Sequence, residues 1–89
     1  MTKLRNAHAL LIGVGKDLPE SATDAKAIYK ILGSKEYGGY YKKNIQLLTN
    51  KKATRKGILK AFDRLLEETD EDSSVLLYYS GHGGTYSDN

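Results

Sequence analysis

The chain has 89 residues, with 14 lysines and arginines against 11 aspartates and glutamates, and it contains no cysteine. This length allows one small domain, and the missing cysteine excludes a disulfide framework, a thiolate metal site and a thiol nucleophile from these residues. No apolar run approaches the ~20 residues that span a bilayer, and the N-terminus lacks a signal-peptide pattern, so we expect a soluble, cytoplasmic protein without membrane contact.

The basic residues are concentrated between Lys42 and Lys60, and the formal net charge is +3. A basic patch attracts nucleic acid or acidic partners. Because the excess is small and no nucleic-acid-binding motif lies nearby, a solvated helix face is the better interpretation. We therefore do not expect nucleic acid as a partner.

Three apolar runs predict strands, and two amphipathic runs between them predict helices. The first apolar run is continuous rather than alternating, which is typical of a parallel strand covered on both faces. In chain order, we predict a strand at about 8–14, a helix at about 22–33, a strand at about 44–49, a helix at about 54–68 and a strand at about 74–80. This order predicts an α/β fold with a mainly parallel sheet and right-handed crossovers.

Both predicted helices have one apolar stripe. In the first, Ser21 is a plausible N-cap with Asp24 three residues later, and Gly33 is a suitable end. The apolar face of the second helix is formed by Ile58, Leu59, Phe62, Leu65 and Leu66. Three strands and two helices are too few to cover both faces of such a sheet, so we expect the chain to be part of a larger domain or assembly.

Candidate chemistry lies where the third strand ends, at Gly81-His82-Gly83-Gly84. Open α/β sheets bind ligands at this edge, and a histidine there can move a proton while adjacent glycine amides bind an oxyanion. An ordinary turn residue or a phosphate-binding nest is an alternative interpretation. A metal site has little support, because His8, the one other histidine, belongs to the first strand and is most simply structural.

The segment "YYSGHGG" after an apolar strand resembles the sequence around the catalytic histidine of caspases and especially metacaspases. The other elements agree in order: "ALLIGVG", the pair Asp24-Ala25, "NIQLLTN" and "ATRKGILKAFDRLL". The resemblance extends from about Ala7 to Thr85. It implies a three-layer caspase-like fold, of which residues 1–89 form the N-terminal portion of a single peptidase domain, with the histidine loop at 81–89.

By this resemblance, His82 corresponds to the general base of a Cys–His dyad, and Gly83 to the residue whose backbone N–H helps to form the oxyanion hole. Asp24 falls where metacaspases place an acidic residue of the S1 pocket, which implies cleavage after arginine or lysine. The alternative is that Asp24 only caps the helix. The segment "GKDLPESATD" lacks the arginine with which true caspases accept a substrate aspartate.

In the family the nucleophilic cysteine follows one further strand, but this sequence ends first, at Asn89. We therefore expect the cysteine on a missing or separate segment, a polypeptide substrate, and no activity from the chain alone. The alternatives are a non-enzymatic interaction module or pseudo-peptidase subunit, and a serine esterase, whose G-x-S-x-G turn is absent. The chemistry requires no cofactor; the resemblance allows calcium activation, for which no site can be placed.

Overall fold

A computed structural model describes residues 5–14 and 19–81. Within these residues the chain forms β1 (Ala7–Gly13), α1 (Pro19–Leu32), β2 (Ile45–Thr49), α2 (Arg55–Glu68) and β3 (Ser74–Ser80), with short 3-10 turns at Lys42–Asn44 and Asn50–Lys52. The strands form one parallel sheet in the order β2-β1-β3. The predicted α/β class and parallel sheet are confirmed. Neither described helix is long and apolar enough to cross a membrane.

β1 is the central strand and is buried along its whole length. Successive side chains of a strand point to opposite faces, and the adjacent residues Leu10 and Leu11 are both fully buried. Both faces of the sheet are therefore covered at β1. This is the physical reason for the continuous apolar run in the sequence, since a strand with one wet face would alternate.

The two helices cover opposite faces of the sheet. On one face, Ala9 and Leu11 of β1 pack with residues of α1 that include Ile28 and Leu32. On the other face, Leu10 and Ile12 pack with residues of α2, including Ala61 and Ile58. The result is a three-layer α/β/α arrangement, as the resemblance implied.

α1 begins at Pro19, about three residues earlier than predicted. Proline suits the first helical position because its φ is already helical and its missing N–H needs no partner there. The prediction that Ser21 is the N-cap, with Asp24 in a capping box, is therefore wrong. Ser21 lies inside the helix and is buried, because α1 presses this turn against the sheet.

The apolar stripe of α2 is only partly covered. Leu65 is buried, but Leu59, Phe62 and Leu66 are exposed, and Leu66 is 73% accessible. The predicted apolar face therefore extends beyond the part of α2 that packs on the sheet. The sheet beneath α2 is too narrow to reach them.

The loop between α2 and β3 is tied to the start of β1 by side-chain hydrogen bonds. Asn6 Nδ2 donates to Asp70 Oδ1 at 3.0 Å, and Ser73 Oγ donates to Asn6 Oδ1 at 2.7 Å. The backbone N–H of Asp72 also donates to Asp70 Oδ1, at 2.9 Å. The Asn6 bond first and the Asp72 bond second hold the pKa of Asp70 below its ordinary value.

This network predicts a pH-dependent contribution to stability. Because the folded-state pKa of Asp70 is depressed, its contribution is present above the unfolded-state value of about 3.9 and is lost as the pH falls through the folded-state value. We expect Asp70→Asn to lower the free energy of unfolding at pH 7, and the difference from wild type to vanish near pH 2. Urea titrations across this range measure it.

Asp63→Asn is the matched control, because it removes an exposed α2 carboxylate that accepts no hydrogen bond from the described residues. The control should keep the wild-type pH profile. A difference between wild type and Asp70→Asn that stays constant from pH 7 to pH 2 would contradict the assignment.

Candidate active site

The order of the strands identifies the position in the sheet where a ligand crevice forms. The connection through α1 leads from β1 to β2 on one side, and the connection through α2 returns past β1 to β3. The two crossovers therefore move in opposite directions across the sheet, with their helices on opposite faces. In open α/β sheets, ligands bind beyond the carboxyl ends of the strands at this reversal, here between β1 and β3.

The chain enters the predicted histidine loop at this crevice. Gly13, the last residue of β1, is paired with Ser80, the last residue of β3, and the next residue along the chain is Gly81. The backbone N–H of Val14 donates to the Ser80 carbonyl at 2.9 Å, which extends the pairing by one step. His82 and Gly83 lie outside the described residues, and Gly81 marks where the chain leads into them.

Gly81 occupies a narrow space between two side chains. A Cβ at this position would lie 3.1 Å from the Tyr79 hydroxyl and 3.1 Å from Val14 Cβ. Such contacts are tighter than ordinary van der Waals packing, so a side chain here would displace one of these neighbours. Glycine therefore fits at the base of the loop for a steric reason. Sequence reasoning did not single out Tyr79 or Val14, because their meeting at Gly81 depends on the pairing of β1 with β3.

α1 starts at the same edge of the sheet. A Cβ on Gly13 would overlap the Ser21 carbonyl and would lie 2.9 Å from Ala22 Cα, so the first turns of α1 pack directly on the end of β1. Asp24 lies one turn further along α1 and its side chain is exposed. The structure thus places Asp24 near the edge at which Gly81 leaves β3. The separation between the Asp24 carboxylate and His82 falls outside the described residues.

His8 lies far from this crevice. It is buried in the first half of β1, five residues before Gly13, which corresponds to about 17 Å along a strand. Its Nδ1 atom has no hydrogen-bond partner among residues 5–14 and 19–81. Within residues 5–14 and 19–81, no three histidine or acidic side chains group as a metal site. The prediction that His8 belongs to the first strand is confirmed.

β3, which borders the crevice, is an edge strand with exposed apolar residues. Val75, Leu77 and Tyr79 on one face are about half exposed, at 46%, 55% and 51%. No other described strand pairs with the outer edge of β3. This apolar run suits a buried strand, but the structure leaves β3 largely uncovered. Edges that face solvent usually carry charge, and β3 has none.

An open apolar groove lies beside this strand, on the face covered by α2. Its volume is about 310 Å³, and its lining includes Ile58 and Phe62 of α2 and Leu77 and Tyr79 of β3. The groove and the bare edge of β3 together form one continuous apolar surface. Exposed apolar surfaces of this kind mark contact with further polypeptide or ligand.

A comparison with models of protein families identifies the family of this chain. The model of the caspase domain matches residues 6–89, nearly the whole chain. The chain belongs to the caspase domain family. Caspase domains are cysteine peptidases in kind, so the predicted family and the peptidase character of the fold are confirmed at that level. Neither the curated proteins nor the solved structures contain a significant match to this caspase-domain chain.

Proposed function

We propose that the chain is the histidine-bearing part of a cysteine endopeptidase. His82 is the general base, the backbone N–H of Gly83 is a donor of the oxyanion hole, and the thiol comes from polypeptide outside these 89 residues, which contain no cysteine. Caspase-domain membership supports the reaction class. The residue roles rest on the resemblance around "YYSGHGG".

The bare edge of β3 is the observation that carries this proposal. A strand that pairs there in parallel would end at the same edge of the sheet as Ser80, beside the point where Gly81 leads to His82. A thiol at the end of such a strand would lie within reach of the histidine. The exposed apolar residues of β3 would be covered by the same strand, which accounts for a surface that water alone would not favour.

The reaction then proceeds in two halves. His82 takes the proton from the thiol, and the thiolate attacks the substrate carbonyl carbon to give a tetrahedral oxyanion that the Gly83 N–H stabilises. Collapse breaks the C–N bond, and protonated His82 gives its proton to the leaving amine. Water, deprotonated by His82, hydrolyses the thioester and regenerates the thiol.

We further propose a metacaspase-type preference for substrates with arginine or lysine at the cleaved bond. Asp24 is exposed on α1 at the edge where Gly81 leaves β3, and α1 does not need it for capping. A carboxylate there can pair with a substrate cation, and with guanidinium through two hydrogen bonds. A cytoplasmic location and calcium activation belong to this proposal by analogy alone.

Active-site labelling tests the peptidase proposal in the native protein, isolated with the polypeptide that carries the thiol. A thiol-reactive acyloxymethyl ketone peptide ending in arginine should label a cysteine of that polypeptide covalently. Prior treatment with iodoacetamide should abolish labelling, and the same probe ending in aspartate should label poorly. Failure of every such probe on a folded sample would reject the peptidase proposal.

The second candidate is a non-enzymatic interaction module. The bare β3 surface favours it as well, because that surface binds polypeptide whether or not a thiol follows. Under this alternative, partner binding persists while no thiol probe reacts. Labelling with a thiol-reactive probe therefore distinguishes the two functions.

A further inference from the structure

We propose that a second site, at the outer end of β2, binds a small molecule with two or more phosphate groups. A cavity of about 410 Å³ lies between β2 and the first turns of α2. It is lined by Leu48, Lys52, Thr54, Lys56, Gly57 and Lys60. No carboxylate is among these residues.

Three lysine side chains line this open surface cavity, and none of them has an acidic partner within the described residues. Within the described residues, Lys52, Lys56 and Lys60 form no ion pair, whereas Arg64, one turn further along α2, pairs with Glu68 at 3.1 Å. No aspartate or glutamate occurs from Ile45 to Phe62, and the nearest acidic residue along α2, Asp63, pairs with none of the three lysines in the described part of the chain. Lys56 and Lys60 are four residues apart on one helix, where like charges repel.

The backbone packs the turn that carries Lys52 against the start of α2. Asn50, which opens the turn carrying Lys52, has a left-handed φ of 53°, a conformation that asparagine tolerates better than most residues other than glycine. Gly57 is the third residue of α2, and a Cβ there would lie 2.5 Å from the Lys52 carbonyl. The glycine therefore allows the Lys52 turn to pack against the helix.

The helix adds positive potential to the cavity. α2 has no acidic residue in its first turn, although carboxylates are favoured at that end, and its first acidic residue is Asp63, in the third turn. The Thr54 side chain accepts from the Gly57 N–H at 3.0 Å and fixes the start of the helix at the cavity wall. The clustered lysines repel one another, and an anion with several charges would relieve this repulsion when it binds.

The size and composition of the cavity define the ligand class. Three separate lysines suit an oligophosphate better than a single phosphate, because each ammonium can then meet its own anionic group. The volume is sufficient for a small molecule. Two strand spacings, about 10 Å, separate β2 from β3, so the site is distinct from the crevice at Gly81.

Calorimetric titration of the full chain with inorganic tripolyphosphate tests the proposal. The double variant Lys52→Gln/Lys56→Gln should raise the dissociation constant by a factor of ~10 or more, since charge-assisted hydrogen bonds are lost. The matched control is Lys42→Gln/Lys43→Gln, which removes the same charge at the opposite end of β2. Its dissociation constant should stay within about twofold of the wild-type value, because salt screens the attraction between these distant charges and the ligand.

Melting temperatures distinguish a specific phosphate site from general electrostatic attraction. Without ligand, Lys52→Gln/Lys56→Gln should melt at or above the wild-type temperature, because repulsion is relieved, whereas tripolyphosphate should raise the melting temperature of wild type and the control but not of this variant. Vesicles with phosphorylated lipid distinguish the source: we expect no co-sedimentation, and co-sedimentation abolished only in Lys52→Gln/Lys56→Gln would assign the same site to a lipid headgroup.

Three results would overturn the proposal. They are the absence of tripolyphosphate binding to the wild type, an equal loss of affinity in both double variants, and tighter binding of a random oligonucleotide that both variants weaken alike. The last two would make this face a general polyanion surface. None of these outcomes depends on peptidase activity.

Discussion

Replacing His82 with alanine in the assembled peptidase should lower kcat for peptide hydrolysis by a factor of ~10³–10⁴. Without the imidazole, the thiol is not deprotonated next to the substrate and the leaving amine is not protonated. KM should change little, because His82 acts on the reacting atoms and not on substrate binding. Steady-state hydrolysis of a fluorogenic peptide ending in arginine measures both constants.

The other histidine provides the matched control. His8 is buried about 17 Å from the carboxyl end of β1, so His8→Gln should lower stability and leave kcat of the folded fraction unchanged. Circular dichroism confirms that the fold of each variant is intact. Wild-type kcat in a folded His82→Ala protein would show that the base is another group.

Asp24→Asn should lower kcat/KM for peptides ending in arginine or lysine by a factor of ~10², because an ion pair with the substrate side chain is lost. Peptides with an uncharged residue at the same position should be cleaved at the wild-type rate. The free energy of unfolding should change by less than about 0.5 kcal/mol, since Asp24 is exposed and α1 begins five residues before it.

Glu20→Gln is the matched control for this substitution. It removes the same charge from an exposed residue in the first turn of the same helix. If long-range attraction alone draws basic substrates, the two variants will lose the same activity. If Asp24 forms the pocket, only Asp24→Asn will lose the preference for basic residues.

The bounds of the helices and strands show how far local sequence patterns predict this fold. β3 occupies Ser74–Ser80, and α2 occupies Arg55–Glu68, both within a residue of the predicted bounds. α1 begins earlier than predicted because the Ser21–Asp24 pair resembled a cap. A capping pattern reports only a local hydrogen-bonding possibility, whereas the close packing of Ser21 and Ala22 on Gly13 depends on the sheet.

The sequence patterns did not predict which apolar side chains are exposed. Leu66 of α2 and Leu77 of β3 belong to apolar patterns typical of a core, yet both are more than half exposed. An apolar pattern shows which face of an element avoids water. The pattern does not show which element covers that face, or whether this element lies within residues 5–14 and 19–81.

The amino-acid sequence is sufficient to establish the β-α-β-α-β order, the burial of β1 on both faces, the resemblance around His82 and the absence of a thiol. Each of these depends on residue type or on periodicity along the chain. Strand order, the crevice between β1 and β3, the packing around Gly81 and the grouping of Lys52 with Lys56 and Lys60 required the tertiary structure. They depend on which distant segments meet, and short-range patterns do not encode these contacts.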